Sequence, residues 1–213
     1  PYLYLDRRHI PKLFFLIFGL LLVFSYVGIK TVIGSSHKIA WPFFFLGAGF
    51  LLLEVQNISK AALFFGTTWT VNTFIISAVL VMILLANAVV IWKPATSLGP
   101  YFIALFISLI ANWALPPTLF LNLPPLAKGS LSVAFMSLPI FFAGILFSSL
   151  FSQTKDRSGA IASNLMGAMV GGMTECFSFL IGIKALLIVA VLFYLCALIS
   201  NGGIHPFSIT KLE

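Results

Sequence analysis

Long stretches of apolar residues without a charged side chain dominate this chain. Each approaches or exceeds the roughly 20 residues that a helix needs to cross the hydrocarbon core of a bilayer. A membrane β-barrel would show short segments of alternating hydrophobicity, whereas continuous stretches are typical of helices, which satisfy their own backbone hydrogen bonds. The pattern therefore predicts membrane-spanning helices in the stretches 13–29, 61–92, 94–127, 129–154 and 185–210.

The breaks between these stretches predict seven transmembrane helices in an all-α, polytopic bundle. A juxtamembrane segment at 1–10 and a C-terminal tail at 201–213 flank the bundle, and a break near Gly182 separates the last two spans. We expect the second, third and sixth spans to form the interior, because they hold polar groups, and the first and seventh to face lipid. The predicted spans are 11–33, 39–58, 71–92, 98–115, 130–151, 159–177 and 184–200.

Composition and charge exclude a water-soluble domain and a nucleic-acid-binding protein. Hydrophobic residues make up 61% of the chain and charged residues only 8%, with a mean hydropathy of +1.12. The net charge of +7 comes from basic residues that flank the spans and suit anionic head groups, and no basic stripe is present. With the N-terminus inside, each side of the membrane receives six Lys and Arg residues, so the orientation stays open.

Polar and charged side chains inside the predicted spans are the candidates for function. A carboxylate at the centre of a membrane helix costs at least ~2.5 kcal/mol, so it should face the bundle interior and have a partner. Glu54 has Asn57 one turn later and Gly47 two turns earlier, which places all three near one helix face. The other intramembrane candidates are Asn72, Asn87, Asn112, Asn164, Glu175 and Lys184.

The sixth span carries a stripe of small residues. Ser163, Gly167 and Gly171 recur every four residues and lead to Glu175, and Gly172 belongs to the adjacent stripe. Small residues at this spacing let two helix backbones approach closely, after which polar groups hydrogen-bond across the contact. Three roles are open for the acids and amides. They hold the bundle together, they form a proton or substrate pathway, or one or both acids are solvated at the membrane interface.

No cofactor, metal or catalytic site is predicted. Cys176 and Cys196 lie in apolar helical sequence without a CxxC pattern, and each is expected to act as a small hydrophobe. His9, His37 and His205 lie in the termini or a loop, so no mid-membrane imidazole is available to ligate haem or chlorophyll. The glycines of GAGF and GAMVGG lie within predicted helices, which excludes a nucleotide-binding loop between a strand and a helix.

Two segments carry a resemblance to a known family. They are FFFLGAGFLLLEVQNISKAALFFGTTWTVNTFIISAVLVMILLAN and SNLMGAMVGGMTECFSFLIGIKALLIVAVLFYL. Together they resemble the carboxy-terminal membrane region of bacterial integral membrane proteins related to spermidine synthase. In that family a glycine-rich segment leads to a Glu, as at 47–54 here, and a second segment with Asn and Gly also leads to a Glu, as at 164–175.

The resemblance implies a bacterial inner-membrane protein whose soluble aminopropyltransferase-like domain would precede the membrane region. The opening PYLYLDRRHIP looks like the junction between the two parts, and the absence of Met at Pro1 agrees with a C-terminal fragment. The Rossmann-like fold and S-adenosyl cofactor site of such a domain are not found in these residues.

Three functions follow as hypotheses. The favoured one is a non-catalytic membrane module that anchors or packs against partner protein, either a soluble spermidine synthase-like domain or the subunits of a larger membrane complex. The second is a proton- or cation-coupled transporter-like module that uses Glu54 and Glu175. The third is the membrane part of an aminopropyltransferase-like enzyme. In all three the lipid bilayer surrounds the chain.

Overall fold

A computed structural model describes residues 15–17, 19–21, 23–24, 26–27, 39–66, 68–95, 97–115, 124–178 and 182–202. This part of the chain is helical and contains no strand, which confirms the all-α class. The predicted segment 1–10, parts of the first span and tail residues 203–213 lie outside the described residues. The helices with defined ends are α1 Trp41–Phe65, α2 Trp69–Trp92, α3 Gly99–Ala114, α4 Pro125–Gln153, α5 Arg157–Glu175 and α6 Ala185–Ser200.

Local sequence signals set the ends of several helices. Prolines occupy the first turn of α1, α3 and α4, where the missing N–H has no helical partner to lose. Asp156 caps α5 by accepting a hydrogen bond from the backbone N–H of Gly159 at 3.0 Å. The expected break near Gly182 is present, and Gly182 adopts a φ of +85°, which favours glycine.

Three helical segments are long and apolar enough to cross a membrane: Trp41–Leu63, Trp69–Trp92 and Gly129–Gln153. The apolar helices α3 and α6 have 16 residues each and are therefore about 24 Å long, shorter than a hydrocarbon core of about 30 Å. The described part of the chain thus supports a membrane bundle but does not establish all seven predicted spans.

Helix α1 lies at the centre of the bundle. It packs against α2, α4, α5 and α6, while α4 also contacts α2 and α3, and α3 contacts α6. The main hydrophobic cluster joins Phe43 and Leu52 of α1 to Leu146 of α4 and Leu186 of α6. A central helix with neighbours on all sides explains why α1 carries so many buried residues.

Contacts along the helices show that consecutive helices run in opposite directions. The end of α1 packs against the start of α2, Asn112 late in α3 binds Phe135 early in α4, and Asn87 late in α2 binds Ser148 late in α4. Gln56 late in α1 binds Ile183, just before α6. Ala40 at the start of α1 contacts Ser163 near the start of α5, so α1 and α5 are parallel. Phe43 of α1 packs against Phe147 and Phe151 near the end of α4, which makes α1 and α4 antiparallel. This alternation is the arrangement expected of a chain that crosses a membrane repeatedly.

Two expectations about interior and exterior helices were wrong. The third predicted span, now α2, is the most apolar candidate span. Only 17% of its most apolar stretch of 18 residues is buried. The seventh, now α6, buries Leu186, Leu187, Ala190, Tyr194 and Ala197. The polar residues of α2 misled the prediction, because Asn72 lies one turn from the helix start and is exposed there.

Candidate functional site

Helices α1 and α5 approach each other through the predicted small-residue stripe. A Cβ atom added at Gly167 would overlap the main-chain oxygen of Phe44, and one added at Gly171 would overlap that of Ala48. On the α1 side, Gly47 lies equally close to the backbone of Asn164. A side chain at any of these glycines would therefore force the two helices apart.

Polar contacts extend this parallel helix pair at both ends. The Ser163 hydroxyl accepts a hydrogen bond from the backbone N–H of Ala40 at 2.9 Å and donates to the carbonyl of Gly159 at 2.7 Å. At the other end, the Ser59 hydroxyl donates to the carboxylate of Glu175 at 3.0 Å. Gly172 faces the side chain of Leu51. The predicted packing residues and Glu175 thus lie along one contact.

Two predicted asparagines meet at the proline of α4. Pro139 has no N–H, so the carbonyl of Phe135, four residues earlier, lacks its usual helical donor. The amide nitrogen of Asn112 in α3 donates to that carbonyl at 3.0 Å and to the carbonyl of Ser108 at 3.1 Å. Asn57 of α1 donates to the neighbouring carbonyl of Met136 at 3.1 Å. Both amides therefore bind the backbone around the proline.

Not every predicted polar residue lies in the interior. Glu54 is half-buried, and within the described part of the chain no hydrogen bond reaches it. Asn72 and Lys184 are exposed near the ends of their helices. Lys60 is buried in α1. The predicted polar residues therefore form several separate contacts rather than one shared site.

Sequence reasoning missed three partners in these contacts. The Gln56 amide donates to the carbonyl of Ile183 at 2.8 Å, which joins α1 to the segment before α6. Ser59 binds Glu175, and the Ser148 hydroxyl donates to the side-chain oxygen of Asn87. Gln56 lies between Glu54 and Asn57, which the sequence analysis had identified as candidates. Its position in the same polar group was a signal that it also makes an interhelical contact. The serines give none, because a serine in a membrane helix often bonds its own backbone.

A cavity of about 590 Å³ opens between α1, α2, α4 and the start of α5. Its walls are mostly apolar and include Leu46, Phe50, Ile83 and Phe147. Its polar lining consists of two predicted amides and two serines: Asn87, Asn164, Ser148 and Ser152. Glu54 and Glu175 do not line this cavity.

The side chains that commonly bind metals are scattered in the described residues. In that part of the chain, no group of three His, Cys, Asp or Glu side chains is placed to hold a metal ion. Cys176 and Cys196 are free thiols. The three histidines, His9, His37 and His205, lie outside the described residues.

Comparison with known proteins does not assign a family. No family model, curated protein or solved structure matches this chain. The resemblance to the membrane region of spermidine synthase-related proteins therefore remains a prediction from the sequence. What the structure shows is a helical bundle with three segments able to cross a membrane.

Proposed function

We propose that this chain is a non-catalytic integral membrane module of the bacterial inner membrane that packs against partner protein. The observation that supports the proposal is that amide side chains within the bundle bind the backbone of neighbouring segments. Gln56, Asn57 and Asn112 each donate to a backbone carbonyl outside their own helix, across a helix contact. Amide N–H groups engaged in this way stabilise a scaffold.

The partner is proposed to be either a soluble spermidine synthase-like domain of the same polypeptide or the subunits of a larger membrane complex. The outer face of α2 requires an apolar environment, since Leu80, Val81 and Leu84 are all more than half exposed. In the isolated chain this face contacts lipid, and in a complex it is available to another membrane helix.

Native mass spectrometry of the protein purified in mild detergent from its own membrane tests the proposal. We expect either a polypeptide well above 23.3 kDa, which indicates a covalently linked soluble domain, or a 23.3 kDa chain with stoichiometric protein partners. A stable species of 23.3 kDa that retains no protein at any detergent concentration would contradict the proposal.

Transport through Glu54 and Glu175 is the competing hypothesis and has less support. Neither carboxylate lines the cavity described above, and Glu175 is already bonded to Ser59. Spermidine uptake into proteoliposomes separates the two proposals. Uptake that is lost in Glu54→Gln but kept in the control Asn72→Leu would favour a transporter, whereas no uptake above that of empty liposomes favours the scaffold.

A further inference from the structure

The interhelical cavity holds two amide groups whose hydrogen-bonding capacity is not used. Asn87 accepts from Ser148 through its side-chain oxygen, and within the described residues its amide nitrogen has no partner. If the amide is turned around, its oxygen is left over instead, so one end is unused in either orientation. Asn164 likewise makes no side-chain hydrogen bond in the described part of the chain.

An unused amide is costly where water is scarce. An amide that lacks a hydrogen bond is unfavourable in a protein interior, and more so in hydrocarbon. Asn57 and Asn112 avoid this cost by donating to backbone carbonyls. Asn87 and Asn164 instead face a common cavity, which is where a ligand can satisfy them.

The size and lining of the cavity define the ligand. A volume of about 590 Å³ lies within the range of small-molecule sites, roughly 300–1,000 Å³, and such sites combine apolar walls with a few polar groups. Among the described residues, no charged side chain lines the cavity, so these walls offer no counter-charge to a charged head group. Amides bind carbonyl and hydroxyl oxygens well.

We propose that this cavity binds one lipid with an uncharged head group that carries carbonyl and hydroxyl oxygens, as an acylglycerol does. The head group binds Asn87 and Asn164, and a hydrocarbon chain lies against Phe50, Ile83 and Phe147. The position of the cavity agrees with this arrangement. It lies near the ends of α2 and α4 and the starts of α1 and α5, the end of the bundle where a lipid head group would enter.

Lipid binding to the full chain can be measured by native mass spectrometry with 1,2-dioleoylglycerol as the probe. We expect one bound molecule per chain in the wild type and about tenfold weaker binding in Asn87→Leu and in Asn164→Leu, because each loses a hydrogen bond to the head group. The matched control is Asn72→Leu, which makes the same change at an exposed site of the same helix as Asn87 and should bind like the wild type.

Two results of this titration would overturn the proposal. Equal binding by all four proteins would mean that the lipid only surrounds the bundle. Displacement of dioleoylglycerol by an equal concentration of anionic phosphatidylglycerol would show that the site does not select an uncharged head group.

A measurement on the wild type covers the case in which a variant fails to fold. A diazirine-labelled diacylglycerol, activated by light, should label the cavity-lining residues Ile83, Asn87 and Val90 of α2 and Ala143, Phe147 and Ser148 of α4. Labelling concentrated on Leu80 and Leu84 of α2, or on Ile188 and Leu192 of α6, which face outwards, would show that the cavity is empty of lipid.

Discussion

Pro139 removes one backbone donor from the middle of α4, and a side chain from another helix replaces it. The carbonyl of Phe135 loses its usual helical donor at Pro139, which is the general difficulty with proline in membrane helices. Asn112 supplies that donor from α3, and Asn57 binds the adjacent carbonyl from α1. At the residue scale, the amides of this chain act on the backbone of its neighbours.

A double-mutant cycle tests the link between Asn112 and Pro139. Asn112→Leu should lower the free energy of unfolding by about 1 kcal/mol, within the range measured for hydrogen bonds between membrane helices. In the Pro139→Ala background the same change should cost less than half as much, because the Ala N–H can donate to Phe135. Denaturation in mixed detergent micelles measures both costs.

The exposed Asn72 provides the control for this cycle, since Asn72→Leu should have little effect in either background. Equal costs of Asn112→Leu with and without Pro139 would show that the asparagine does not compensate for the proline.

At the element scale, the parallel pair of α1 and α5 depends on glycines that a single methyl group would block. Gly167 and Gly171 lie against the main-chain oxygens of Phe44 and Ala48, so the helix backbones themselves are in contact. Such close approach also permits weak Cα–H···O contacts between the helices. Central α1 uses this face for α5 and its other faces for α2, α4 and α6.

Gly171→Ala should therefore destabilise the bundle by about 1–3 kcal/mol, as overpacking of a tight contact does. The matched control is Gly129→Ala in α4, where an added Cβ would meet nothing within 4 Å. That substitution should leave stability unchanged or raise it by up to about 1 kcal/mol through better helix propensity. Thermal unfolding in one detergent compares the two, and a similar shift for both would contradict a close α1–α5 contact.

At the scale of the whole molecule, the alternating helix directions place the connections on two sides. Lys93 and Lys155 fall at the end of the bundle where α1 begins, and Thr68 and Lys184 fall at the opposite end. The balanced Lys and Arg count leaves open which of the two ends is cytoplasmic. The relative sides of these positions, however, follow from the packing alone.

Single-cysteine labelling tests this arrangement in a background that carries Cys176→Ser and Cys196→Ala. Lys93→Cys and Lys155→Cys should react together with a membrane-impermeant maleimide on intact cells, or both should react only after permeabilisation. Thr68→Cys and Lys184→Cys should show the opposite behaviour. All four positions are exposed, so a failure to label reports the membrane side and not burial. Different sides for Lys93 and Lys155 would contradict the alternating bundle.

The sequence by itself determined the class of this protein and one of its contacts. Continuous apolar stretches predict helices in any environment that lacks water, because only helices satisfy every backbone group locally. The spacing of Gly167 and Gly171 identified a packing face, since residues four apart share one side of a helix whatever lies opposite. These properties are local and do not depend on which helix lies opposite.

Only the tertiary structure decided which helices lie inside and which polar residues meet. Asn87 and Asn112 look alike in sequence, yet one faces a cavity and the other a proline turn, because their partners belong to distant parts of the chain. Helices α2 and α6 exchanged the roles expected of them, because burial depends on neighbours and not on composition. In a chain where almost every face is apolar, hydrophobicity cannot distinguish a face that meets lipid from one that meets another helix.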